Sequence, residues 1–479
     1  MLSQVTTWVM TLVLTFYMAR ALGPTSLGQL QLSASLWGIL AVLVTFGMDV
    51  VLTKEVARHP EGIGDLIGTT LVLQVLLYAV ALGLITVYVA AAGYPQDVVT
   101  IIFIIGISSL LYQFEAAFES VLKGLERMDY MSLGVVLGKV CYTAGVAALL
   151  FMGLGVKAVA LIAIAAPLAT IVVEWAALGR LRQIHLRFRR EVAGWLLKAG
   201  IPFFVSGIFL VLYQNLDVVF ISLFASAAVV GWYGAATRLV GTLLFVPSVL
   251  EQAIFPALAR LHSVDSQELP ILVRRVLNWL LAIGVPLGLG TLVISKPVVL
   301  LLYGAQFQPS GDVLTLMGIA LIFMYVNILF GRVLIATDRQ NWLTAILVVS
   351  VVATIALDFV FIPWCQNVLG NGAIGGALSF LVTESAQAVA GIYLMPKGLL
   401  TATDFKQAAR IFLVGGLMVL AIWWLRDRPV AIQVIVGIAV YLPLALVLRV
   451  IPPNDLVLFG NLAGGVARRV RARLWSPVT

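Results

Sequence analysis

FESVLKGLERMDY (118–130) returns 212 residues later as FGRVLIATDRQNW (330–342). Phe118 and Phe330, Val121 and Val333, Leu122 and Leu334, and Arg127 and Arg339 are identical, and Glu126 and Asp338 keep one charge. Earlier in each half, Gly28, Leu36, Gly38 and Leu40 are answered 203 residues on by Gly231, Leu239, Gly241 and Leu243. Toward each end, Leu154-Gly155 with Ala158 is answered by Leu369-Gly370 with Ala373. Three matches in one order, at similar offsets, mark an internal duplication. Each copy is long enough for six membrane crossings. Duplicated membrane proteins are most often secondary transporters, with the substrate path between the repeats.

The composition agrees with crossings along the whole chain. Of 479 residues, 62% are hydrophobic and 11% charged, with a mean hydropathy of +1.07; a soluble chain carries about 25% charged residues. Apolar runs of about 20 residues recur, each able to cross the hydrocarbon core as a helix. The pattern predicts an all-α polytopic membrane protein with fourteen spans. They fall at 2–22, 27–49, 66–92, 98–122, 131–153, 156–178, 198–224, 228–254, 276–302, 310–335, 342–364, 372–396, 408–426 and 430–451. Residues 1–178 then form one six-helix lobe and 198–396 the other. They are joined by a basic linker at 179–197 and followed by a peripheral pair at 397–451 and a basic tail at 452–479.

Charge distribution sets an expected orientation. Of the 30 Lys and Arg, 23 lie on one side of these spans and five on the other (Arg20, Lys157, Lys296, Arg426 and Arg428), while Lys139 and Arg238 sit inside spans. Basic residues favour the cytoplasm, so both termini are expected inside. Six spans per copy give both copies one orientation, hence a parallel repeat about the membrane normal. The basic residues flank spans, which suits anionic membrane lipids better than nucleic acid. Cys141 and Cys365 form no disulfide framework, and His59, His185 and His262 form no metal cluster. The first apolar stretch ends at Arg20 rather than a small-residue cleavage site, so no cleaved leader is expected.

No Walker motif, GxSxG elbow or HExxH is present. The longest loops, about 178–198 and 254–276, are short for extramembrane chemistry. Neither an enzyme nor a cofactor is expected. A membrane glycan polymerase or ligase would have to be built from intramembrane polar residues alone.

QNLDVVFISLFASAAVVGWYGAATRLVGTLLFVPSVLEQAIFPALARL (214–261) resembles the seventh and eighth spans of polysaccharide flippases of the Wzx type. Those show an Asp in the seventh span, here Asp217, a Gly-x-Tyr, here Gly231-Trp232-Tyr233, and a Phe-Pro-x-Leu exit, here Phe255 to Leu258. ALGPTSLGQL (21–30), KGLERMDY (123–130), LYGAQFQPSGDVL (302–314) and GNGAIGGALSFLVTES (370–385) are similar too. The resemblance runs over nearly the whole chain. It implies the multidrug/oligosaccharidyl-lipid/polysaccharide (MOP) exporter superfamily: two lobes in a V around a central cavity, flipping a lipid-linked oligosaccharide by alternating access. Polysaccharide assembly proteins are implied as further partners. Lipid II flippases usually carry several charges in the first span, whereas Leu2–Ala19 has none and offers Gln4, Thr6, Thr7, Thr11 and Thr15. That sets the lipid II reading behind. A cation-coupled multidrug exporter shares the fold and stays open.

Intramembrane polar residues are the candidate site. Asp217 lies about seven residues before the end of span 7 and Arg238 about ten after the start of span 8, at matching depths of about 10–15 Å. A charge there needs a partner or water. The two form either a structural salt bridge or a cavity pair in which Arg238 binds the phosphate or acidic sugars of a lipid-linked substrate. Ser206, Tyr213, Gln214 and Asp217 share a helical stripe, with Asn215 beside it; such a stripe lines water or glues helices together, and the resemblance turns it to the cavity. Lys139 faces the cavity or pairs with Glu115 or Glu119. Glu174 and Glu384 hold equivalent places in the repeat, as do Asp49 and Glu251. These read as caps or inner-gate contacts, or as coupling-ion sites. Asp358 is a cation ligand or a helix-end group near Pro363. Pro202, Pro247 and Pro286 kink spans 7, 8 and 9, as static bends or as hinges. The 179–198 arginines anchor topology or guide anionic lipid-linked substrate.

Overall fold

The computed structural model describes residues 2–181, 185–264, 267–448 and 450, without the side chains of residues 2–9, 12 and 252. The side chains of Gln4, Thr6 and Thr7, residues 182–184 of the linker and the tail at 452–479 therefore lie outside the described residues. Sixteen α-helices and no strand are found among those described. In order they are α1 (Leu2–Thr45), α2 (Met48–Arg58), α3 (Ile63–Ala92), α4 (Gln96–Gly124), α5 (Met128–Phe151), α6 (Val156–Ile162), α7 (Ala165–Leu181) and α8 (Arg190–Phe224). There follow α9 (Ala227–Leu243), α10 (Phe245–Ser263), α11 (Glu268–Tyr303), α12 (Ser310–Ala336), α13 (Gln340–Leu369), α14 (Gly372–Leu394), α15 (Ala402–Trp423) and α16 (Val430–Val447).

Twelve segments are long and apolar enough to cross a membrane, or thirteen if α9 and α10 form one span. The fourteenth expected span is hidden in α1. At 1.5 Å per residue its 44 residues reach about 66 Å, roughly twice a hydrocarbon core. Gly23 breaks it with φ 74° and ψ 175°, ahead of Pro24, so spans 1 and 2 meet there. Span 2 stops at Thr45, short of the expected residue 49, because Phe46 (φ 48°) and Gly47 (φ 69°) are left-handed and start the polar helix α2. Pro202 and Pro286 lie within α8 and α11, while Pro247 sits in the first turn of α10, where a missing N–H is tolerated.

The duplicated motif is duplicated in geometry. Glu126 (φ 57°) and Asp338 (φ 58°) are two of the three non-glycine residues with positive φ among those described. After each, an Arg N–H reaches back five residues, Arg127 to Leu122 O at 2.8 Å and Arg339 to Leu334 O at 2.7 Å. This bonding closes a helix C-terminus, so α4 and α12 end identically.

The described residues form two compact units. Of the described residues, the first holds those within 2–242, 299–313 and 344–383, and the second those within 243–298, 314–343 and 384–450. Compaction therefore cuts across the repeats, because α1 packs on α8 and draws spans of the second copy into the first unit. A Cβ on Gly28 would lie 1.8 Å from Ala227 O, and one on Gly231 would lie 2.0 Å from Pro24 O. These two glycines are repeat equivalents and they meet each other. Around a two-fold, equivalent residues touch only at the axis. In the second unit Tyr441 donates to Ala282 O at 2.7 Å, tying α16 to α11, and Arg274 donates to Gly398 O and Leu399 O at 2.7 and 2.8 Å, holding the turn into α15.

Candidate functional site

Tyr233 and Arg238 are five residues apart on α9, about 140° apart around a helix of 3.6 residues per turn. They therefore face different neighbours. The Tyr233 hydroxyl donates to Asp217 Oδ2 at 2.5 Å, and Arg238 Nη2 donates to Gln31 Oε1 at 3.4 Å. Of the two alternatives for Asp217 and Arg238, the salt bridge is not made. Tyr233 occupies the face of α9 turned to Asp217.

Arg238 lines a cavity of about 410 Å³ together with Lys139, Tyr142, Tyr303, Thr15 and Thr242. Lys139 Nζ lies 5.7 Å from the centre of the Tyr142 ring. It pairs with neither Glu115 nor Glu119, because Lys123, one turn along α4, takes Glu119 at 2.9 Å. No carboxylate lines this space among the described residues. Two cations thus face one void without an ion-pair partner. Uncompensated cations at such depth are stable only against water or an anion. The Arg fork, the Lys point charge and the surrounding hydroxyls all offer donors, which is the chemistry that binds phosphate oxygens.

Asp217 belongs to a second, packed centre. It is 3% exposed and Asp358 0%. The Asp358 carboxyl lies against those of Asp217 and the Ser379 hydroxyl, yet neither of its oxygens meets a donor at hydrogen-bond geometry. α14 comes close because Gly375 and Gly376 lack side chains: a Cβ on Gly375 would lie 2.4 Å from Phe361 O. Tyr213 closes the centre, its hydroxyl 3.2 Å from Thr383 Oγ1 and its ring stacked on Phe380 at 6.0 Å. Two carboxyls among hydroxyls suit a proton or a monovalent cation. No group of three or more metal-ligand side chains converges among the described residues.

The expected polar stripe of α8 divides. Tyr213 and Asp217 are buried, Ser206 and Gln214 exposed, and Asn215 donates to Val211 O at 3.0 Å beside Gly38. Of the six expected substrate residues, only Arg238 and Lys139 line the cavity. Asp49 opens α2, where the helix dipole favours an acid. Glu251 is paired with Arg332. Glu384 accepts from Asn327 Nδ2 at 2.7 Å. Glu174 differs from its repeat equivalent: it is fully buried and neither oxygen meets a donor. Tyr142, Tyr303, Gln31 and Thr242 were not anticipated. Tyr142 was legible as the i+3 neighbour of Lys139 on one helix face; Tyr303 reaches the cavity only through tertiary packing.

The polysaccharide biosynthesis protein family matches residues 1–262. The chain is 23% identical over 374 residues to the probable low-salt glycan biosynthesis flippase Agl15 of Haloferax volcanii, covering 77% of each chain. It is 26% identical over 200 residues to the lipopolysaccharide biosynthesis protein WzxC of Escherichia coli, covering 41% of this chain and 38% of that one. Among solved structures, the lipid II flippase MurJ in its inward closed conformation superposes with a TM-score of 0.76 at 14% identity, over 95% of this chain and 99% of that one. An inward-facing multidrug resistance MATE transporter of the MOP superfamily gives 0.68 at 15% identity, over 81% and 94%. With more than half of its length matched, the chain belongs to the polysaccharide biosynthesis protein family.

Proposed function

We propose that this chain flips a lipid-linked oligosaccharide across a prokaryotic plasma membrane by alternating access, with Lys139 and Arg238 holding the phosphate of the headgroup. The observation that carries this is the cavity with two unpaired cations and, among the described residues, no lining carboxylate. Sugars and phosphate cross in a wet cavity while the polyprenyl tail stays in lipid, because moving them through hydrocarbon is prohibitive. The relatives named as flippases support the reading, and no covalent chemistry is required of the chain. Both termini lie in the cytoplasm, which reporter fusions test, and polysaccharide assembly proteins are its working partners. Of the acidic residues, the Asp217–Asp358 pair and Glu174 are placed for coupling, whereas Asp49, Glu251 and Glu384 are architectural or gate contacts. A multidrug exporter of cationic drugs fits less well, since such a drug would meet two cations of its own sign. The test is Arg238→Ala in cells that depend on the chain for surface glycan. Export should be lost at normal membrane abundance. Unchanged export at normal abundance sinks the reading.

A further inference from the structure

Residues 185–189 of the linker run extended into α8, laid across the start of α3. Gly64 and Gly68, one turn apart on α3, make the seat. A Cβ on Gly64 would lie 2.4 Å from His185 O, and one on Gly68 would lie 2.7 Å from both Arg187 N and Arg187 O. The linker backbone is also bonded there. Arg187 N–H donates to Gly64 O at 3.3 Å, and Thr69 Oγ1 accepts from Arg189 N–H at 3.1 Å and donates to Arg187 O at 3.5 Å. Glycine weakens a helix relative to alanine, so the seat is kept against a local cost. A basic stretch that only sets orientation needs charge and no fixed backbone.

Extended backbone sends successive side chains to opposite sides. His185, Arg187 and Arg189 thus form one row, and Leu186 and Phe188 the other. Arg189 Nε reaches Asp65 Oδ2 at 2.8 Å, and Asp65 is in the first turn of α3. The cation row therefore faces the end of α3. The apolar row faces along α3, toward the middle of the membrane-crossing segment Pro60–Ala92. Leu186 and Phe188 are 44% and 51% exposed. Arg187 and Arg190 are exposed as well, and neither forms an ion pair among the described residues. Trp195 is exposed on the second turn of α8, and tryptophan favours the boundary between membrane and water.

We propose that residues 185–190 form a binding edge for an anionic phospholipid of the leaflet they border. Leu186 and Phe188 lie among its acyl chains, and Arg187 and Arg190 hold its phosphate. The charges are complementary, and the two rows match the two parts of such a lipid. A soluble phosphate compound would leave the apolar row in water. The lipid fastens the start of α8 to α3, where Ala193 and Leu196 already pack with Met48, Val51 and Leu73. The site is separate from the cation cavity and does not rest on the flippase reading.

The test uses the full-length protein in phosphatidylcholine nanodiscs with increasing phosphatidylglycerol. A fluorophore sits on His185→Cys, after Cys141→Ala and Cys365→Ala. Its emission should respond to phosphatidylglycerol and saturate, and high salt should erase the response. Arg187→Gln with Arg190→Gln removes two exposed, unpaired charges. It should weaken the preference about 25-fold, roughly fivefold for each charge. Gly64→Ala with Gly68→Ala keeps every charge and favours the helix, yet displaces the linker backbone, and should weaken the preference several-fold. A thermal melt checks that each variant is folded, and the arginine pair decides alone if the alanine pair is not. An unchanged preference in the arginine variant overturns the site. An unchanged preference in a folded alanine variant overturns the built edge in favour of diffuse surface charge. A soluble diphosphate sugar should not reverse the response; reversal would assign the arginines to a sugar-linked headgroup and overturn the phospholipid.

Discussion

The cation cavity and the acidic centre sit on opposite faces of one short helix, and they differ in what surrounds the charge. Arg238 and Lys139 face a void of about 410 Å³. Asp217 and Asp358 face Tyr233 and Ser379 in packed protein, at 3% and 0% exposure. A charge facing space can take a bulky partner that comes and goes; a charge facing packed hydroxyls can exchange only something as small as a proton or a single ion. Depth alone does not separate the two, since both lie in the same pair of spans at similar positions. The rotation of α9 does, because five residues carry Tyr233 one way and Arg238 the other.

The largest expected effect breaks the comparison if it fails. Arg238→Glu places a negative charge in the cavity and should abolish export at normal membrane abundance, while Arg238→Lys should keep part of it, having the charge without the planar fork. The swapped pair, Asp217→Arg with Arg238→Asp, should restore nothing. It leaves a long cation in a packed centre with no space for it, so abundance should fall by the equivalent of about 3 kcal/mol or more. A swapped protein with normal abundance and export would mean that the two centres are one salt bridge.

A smaller effect sharpens the acidic side. Tyr233→Phe removes the donor to Asp217 and leaves its carboxyl buried without that bond. The expected loss is about 1–3 kcal/mol, read as a lower melting temperature. Headgroup affinity, measured with a soluble diphosphate sugar, should not change. A fall in affinity with an unchanged melt would place Tyr233 in the cavity rather than in the packed centre.

How much of this was legible depended on the range of the interaction. The spans, their number and the repeat follow from hydrophobic run length and from matched residues, which are local. The Glu126 and Asp338 caps were visible as paired motifs, although their left-handed backbone was not. Gly28 and Gly231 were found as equivalents, but that they touch is a property of the axis between copies. Asp217 and Arg238 were found as intramembrane charges and then joined, because depth is readable from sequence and helix rotation in tertiary contact is not. Asp358 reaches Asp217 across more than 140 residues, and no periodicity carries that information. Lys139 was left between the acids of span 4 and the cavity, and the choice turns on a contact that sequence does not show: Lys123 already holds Glu119.

Lys139 gives the smallest and most discriminating effect. It is a hydrated point charge beside Tyr142, without the fork that makes Arg238 the stronger phosphate ligand. Lys139→Ala should weaken binding of a diphosphate sugar by on the order of 1 kcal/mol, a factor of about five. It should also flatten the dependence of binding on ionic strength, since one of two attracting charges is gone. Two double-mutant cycles then separate the cavity from the α4 acids. Lys139→Ala and Glu119→Gln should be additive in melting temperature, because they share no partner. Lys139→Ala and Arg238→Ala should not be additive in affinity, because both cations act on one anion. The reverse pattern, with coupling to Glu119 and none to Arg238, would return Lys139 to the acids of α4 and leave the cavity with a single cation.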